Sequence, residues 1–88
     1  MIIFYQKKFL KDLAWIPSPL RKKIEDFVFK ELPAAANFSH VKGVENMTGY
    51  PHYYKIRFGD YRLGIHYENG SLTVERILHR REIYRYFP

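Results

Sequence analysis

Two dipeptides, Gly59-Asp60 and Asn69-Gly70, constrain this chain more than any other feature in it. Both are turn pairs of the kind that two-residue hairpin loops select, because the tightest hairpins need positive φ. They separate three runs, 53–58, 61–67 and 72–79, rich in β-branched and aromatic residues. In the first two, apolar and polar side chains alternate, the period of a strand that buries one face. The C-terminal half therefore reads as an antiparallel meander.

The N-terminal half has another rhythm. Ile2 to Tyr5 is a short β-rich run. Phe9, Leu10, Leu13 and Ile16 then recur at helical spacing, with Lys7, Lys8, Lys11 and Asp12 on the other side. Pro17 ends that helix. Ser18 as N-cap and Pro19 at the first position predict a second one. Its apolar face is Leu20, Ile24, Phe27, Val28 and Leu32, and Pro33 closes it. Residues 34–52 carry no strong period. So long a connection in so small a chain is expected to be packed or functional. The tail, 80–88, suits a short helix or an extended cover. The order is β-α-α-β-β-β in one α+β domain, 1–88, with both helices on one face of the sheet. The other face is then expected to be largely open.

Composition narrows the partners. With 88 residues and no cysteine, neither a disulfide scaffold nor a thiolate site is available. Eight Tyr and seven Phe supply large buried areas to a small core. The first residues lack the basic and apolar regions of a signal peptide, and no run is long enough to span a membrane. A cytoplasmic protein with no membrane partner is the expectation. The net charge of +6 draws polyanions, nucleic acid first among them.

Strand alternation turns that charge into a face. Tyr54, Ile56, Phe58, Tyr61, Leu63, Ile65 and Tyr67 form the core-facing rows. Tyr53, Lys55, Arg57, Arg62, Gly64 and His66 then project outward together. The last strand is less regular. Leu72, Val74 and Leu78 suggest one face, Arg76 breaks it, and a bulge would turn Ile77 inward. Its end delivers His79, Arg80 and Arg81, with Tyr84 just beyond. Cations on strands often serve only as solvated edges. A row of them side by side costs stability, which makes sense where a phosphate normally lies.

Three segments, Tyr54-Lys55-Ile56-Arg57, Gly59-Asp60-Tyr61-Arg62-Leu63 and His79-Arg80-Arg81-Glu82-Ile83-Tyr84, resemble the C-terminal half of RelE-type toxins of the RelE/ParE superfamily. The helical hairpin fits as well, so the resemblance covers nearly the whole chain. It implies a RelE-like fold and a toxin of a type II toxin–antitoxin system. It further implies an endoribonuclease that cuts mRNA in the ribosomal A site, held in check by a cognate antitoxin protein. The family's catalytic positions fall on Lys55, Arg62, Arg80 or Arg81, and Tyr84. Where the family has a second strand lysine this chain has Arg57, which stays protonated and cannot act as a base.

The implied chemistry is attack of a ribose 2′-OH on the adjacent phosphodiester, with no metal and no small-molecule cofactor. Arg57 and Arg62 would hold the phosphate, Lys55 is a candidate base, and His66 and His79 compete for acid or base roles. Arg80 or Arg81 would add charge, and Tyr84 would stack on a base. Two other functions compete: a ParE-like gyrase inhibitor without catalysis, and a plain RNA-binding module using Tyr53 and Tyr84 as platforms. No His/Asp/Glu set has metal-ligand spacing.

Overall fold

The computed structural model describes residues 1–88. Strand β1 (Ile2–Tyr5) leads into α1 (Lys7–Ala14). Helix α2 (Leu20–Asp26) runs on through a π-helical turn (Phe27–Glu31) into the single turn α3 (Leu32–Ala34). After a 3-10 turn (Phe38–His40) come β2 (Glu45–Asn46), β3 (Tyr53–Phe58), β4 (Tyr61–Glu68), β5 (Ser71–His79) and α4 (Ile83–Tyr86).

The sheet order is β1-β5-β4-β3-β2, with β1 parallel to β5 and every other pair antiparallel. Both hairpin turns form as expected. Asn69 and Gly70 have φ of 52° and 78°, a type I′ turn, and Gly59 alone is positive in the first, a II′ turn. The two-residue β2 is an addition to the expected order. It lies in the connection that showed no period, and two residues are too few to show one.

The second helix differs from expectation at both ends. Ser18 makes no capping bond, and Pro19 itself occupies the N-cap. Pro33 does not stop the helix but sits inside its last turn. Proline has no N–H to offer the carbonyl four residues back. The backbone meets this with a wider turn just upstream, where the Leu32 N–H bonds to the Phe27 carbonyl.

Phe9, Leu13, Ile16, Ile24, Val28 and Leu32 from the helices meet Ile56, Leu63, Ile65, Leu72, Val74 and Ile77 of the sheet in one core. The β4–β5 register slips between Gly64 and Ile65, so that Gly64 faces Arg76 and Ile65 faces Val74. Glu75 is the extra residue of that bulge, and it turns Ile77 into the core. Leu78 therefore lies on the opposite face from Leu72 and Val74, against the simple alternation.

Asp12 of α1 ties the helix to this irregular stretch. Its carboxylate accepts from Arg76 Nε at 2.8 Å, from Arg76 Nη2 at 3.0 Å and from the Ile77 N–H at 3.2 Å. The side chains are only 18% and 12% exposed, so screening is weak. The hydrogen bonds hold the Arg76 guanidinium in its charged form, and its pKa is raised accordingly. Asp12→Ala should cost about 1.5–3 kcal/mol, the range for charged hydrogen bonds. A urea midpoint unchanged from wild type would refute that role.

Candidate active site

The face of the sheet away from α1 and α2 is not fully open. Met47, Ile83 and Phe87 are buried on it, flanked by Tyr53 and Leu78, in a second small core. The expectation of a largely exposed face is corrected by the tail, which folds back across it. Gly64 explains why the tail can do so. A Cβ there would lie 2.8 Å from Phe87 Cδ2, so only a residue without a side chain lets the ring rest on the strand.

The docked tail sets Tyr84 into the site. Ile83 and Phe87 are anchored on either side of it, and Tyr84 stays 63% exposed. Lys55 on β3 donates a hydrogen bond to the Tyr84 hydroxyl. The ammonium is 4.8 Å from the ring centroid, and most of the ring is exposed to a base.

Arg57 and Arg62 are direct cross-strand partners in the β3–β4 register. Like charges so placed repel. Glu45 relieves Arg57, with Oε1 3.0 Å from Nε. Arg62 curls onto its own turn, where Nη1 donates to the carbonyls of Gly59 at 2.8 Å and Tyr61 at 2.9 Å. The other guanidinium donors of both residues are left for an anion. Arg80 closes the cluster at the β3–β4 turn. Its N–H donates to the Asp60 carbonyl at 2.7 Å, and its guanidinium is 3.8 Å from the Asp60 carboxylate.

The remaining candidates lie apart. His79 is the in-register partner of Tyr61, and the two rings meet edge to face at 5.7 Å. Tyr61 packs on the helix-side core, so the imidazole lies across the sheet from Lys55. Its Nδ1 accepts the Arg81 N–H at 3.2 Å, and the Arg81 side chain is exposed and in no ion pair. His66 is on the open face but farther along it, beside Tyr53 at 4.6 Å and Glu68 at 3.3 Å. Tyr53 is half-buried, edge to face with Phe87 at 5.7 Å, so it supports the tail and offers little free ring face.

Sequence reasoning missed Glu45. It stands in a stretch without period, and only its pairing opposite Lys55 brings it to the cations. No three His, Asp or Glu side chains come together as a metal-binding group.

This arrangement has relatives. The model of the family described as the ParE toxin of type II toxin–antitoxin systems matches residues 3–84. Toxin RelE3 of Methanocaldococcus jannaschii is 36% identical over 89 residues, spanning all of both chains. The chain belongs to the RelE/ParE toxin superfamily. It is a RelE-type toxin of a type II toxin–antitoxin system. The crystallised RelB–RelE antitoxin–toxin complex from Methanococcus jannaschii superposes with a TM-score of 0.78 at 35% identity, covering 97% of this chain and 99% of that one. Isolated E. coli RelE gives 0.65 at 19% identity, with 96% and 90% covered, and shares the fold. Such RelE-type toxins crystallise with their RelB antitoxins. No helix of this toxin is long and apolar enough to cross a membrane.

Proposed function

We propose that this RelE-type toxin cleaves mRNA in the ribosomal A site, in the cytoplasm, by attack of a 2′-OH on the neighbouring phosphodiester. The observation that carries the reading is the Tyr84 hydroxyl held on Lys55, beside Arg57, Arg62 and Arg80 on one face. Bound phosphate would satisfy the free guanidinium donors and relieve their mutual repulsion. Both guanidinium groups would bind more tightly as charge builds on the equatorial oxygens, which is where catalysis is gained. The exposed Tyr84 ring would stack on a base and align the strand.

Protons must balance. The 2′-oxygen forms a bond to phosphorus as it loses its proton, and the 5′-oxygen leaves as it gains one. This yields a cyclic phosphate and a free 5′-hydroxyl. Glu45 is the carboxylate within reach of the phosphate-binding arginines, and we assign it the first proton. Lys55 already donates to Tyr84, and as an ammonium it is suited to supply the second. Glu45→Gln should then lower single-turnover cleavage by about 100- to 10,000-fold, the usual worth of a general base. It should leave binding of uncleavable RNA within a few-fold. Unchanged cleavage would return the base role to another group.

The primary test uses programmed ribosomes, with mRNA ends mapped by primer extension. Cuts that depend on the toxin support the reading. Intact message in the presence of folded, antitoxin-free toxin would sink it. A cognate antitoxin for this chain is part of the same proposal, motivated by the RelB partners of its relatives. An acidic segment laid over the cationic face would suit it.

A further inference from the structure

The outer crest of α1 has a charge pattern unlike its neighbour. On the second helix Arg21, Lys22 and Lys30 each have an acid one turn away, at 4.0, 2.6 and 3.6 Å, and only Lys23 is unpaired. Lys7, Lys8 and Lys11 on α1 are exposed and have no acidic partner. The only acid of α1, Asp12, is turned aside to Arg76. Lys8, Lys11 and Trp15 follow one another at helical spacing on the face opposite buried Phe9 and Leu13. Trp15 is 87% exposed, the most exposed large apolar side chain of the protein.

The crest is continuous with the site. Lys7 and Lys8 share a groove of about 610 Å³ with Arg76 and Tyr86, Glu75 being its one acid. Burial pushes the Glu75 carboxyl above its ordinary range, with His66 pulling the other way. Tyr86 is half-exposed and lies 5.8 Å from the Arg76 guanidinium. It belongs to the same short helix as Tyr84, so α4 joins the groove to Lys55.

We propose that this crest is a second contact for single-stranded RNA, with Trp15 stacking on a base and Lys7, Lys8 and Lys11 holding phosphates of a strand that leaves the site past Tyr86. The inference rests on the reading of the site as RNA-directed. A flat ring flanked by cations is what sequence-tolerant RNA contacts use. A protein hot spot instead needs an apolar surround that excludes water, and Trp15 stands beside lysines.

Trp15 is the only tryptophan, so its fluorescence reports on the crest alone. The experiment titrates antitoxin-free toxin with a short 2′-O-methylated RNA, which cannot be cut. Emission should fall on binding. Read from the anisotropy of a fluorescein label on the RNA, Trp15→Ala should weaken affinity about tenfold. Changing Lys7, Lys8 and Lys11 together to Gln should flatten the log–log salt dependence by about 2. Melting should be unchanged in both variants. A Tyr84→Ala toxin should still show the quench, which separates the crest from the site. RNA binding that leaves the Trp15 emission of the wild-type toxin unchanged, with the affinity of Trp15→Ala and the salt slope of the lysine variant also unaltered, overturns the proposal, even where cleavage persists. Quenching by an antitoxin polypeptide and not by RNA overturns it too, and makes the crest a protein surface. Failure of wild-type toxin to bind any RNA overturns the crest proposal, and the cleavage reading is decided separately by the programmed-ribosome test.

Discussion

Tyr84→Ala should cut ribosome-bound mRNA at least about 100-fold more slowly than the unmodified toxin, the scale of loss when an aligning group is removed. The fold should not notice. The side chain is 63% exposed and its neighbours Ile83 and Phe87, not Tyr84, anchor the tail. Thermal melting of the variant therefore serves as the control. Tyr84→Phe divides the two roles assigned to the residue. The ring survives that change, but the acceptor for the Lys55 ammonium is lost. If stacking dominates, Phe restores most of the rate. If the hydroxyl sets the position of Lys55, Phe is nearly as slow as Ala, and Lys55→Ala matches it. Normal cleavage by Tyr84→Ala and Lys55→Ala alike would show that chemistry occurs elsewhere.

A second large effect is expected from a residue that touches no RNA. Gly64→Val should disable the toxin by evicting its tail. Strand β4 is bonded on both sides, to β3 and β5, and cannot retreat from the new side chain. The Phe87 ring, 2.8 Å from the ideal Cβ, has to give way. Overpacking of this kind costs about 1–3 kcal/mol, visible as a lower urea midpoint. Loss of the Phe87 anchor also releases Ile83 and with it the placement of Tyr84, so cleavage should fall as in Tyr84→Ala. The clash can be isolated by a double-mutant cycle. In a Phe87→Ala background the same Gly64→Val change should cost much less stability, because the two sites are in contact. Additive costs would mean that the valine is accommodated without moving the ring.

The two turns, the helical hairpin and the inward rows of β3 and β4 were legible because each depends on neighbours close in sequence. Turn chemistry sets the hairpin register, and alternation then assigns faces along both strands. That is why the sequence alone places Lys55, Arg57 and Arg62 together. His79 could not be placed in this way. A one-residue bulge at Glu75 reverses the parity of everything after it on β5, turning Ile77 and His79 toward the helices and Leu78 and Arg80 toward the site. Local pattern permits such a bulge without requiring it. A glycine between Leu63 and Ile65 was a signal of close approach, but nothing nearby in the chain names Phe87 as the visitor.

By itself, then, the sequence determined a basic α+β domain whose meander carries a row of cations, because hairpin turns and side-chain alternation are local physics. Only the tertiary structure decided that the tail covers part of that face, that Tyr84 meets Lys55 and Glu45 meets Arg57, and that His79 lies on the far side. Those outcomes rest on a register slip and on long-range packing around one missing side chain. They are settled by what fits against what, at separations along the chain over which periodicity carries no information.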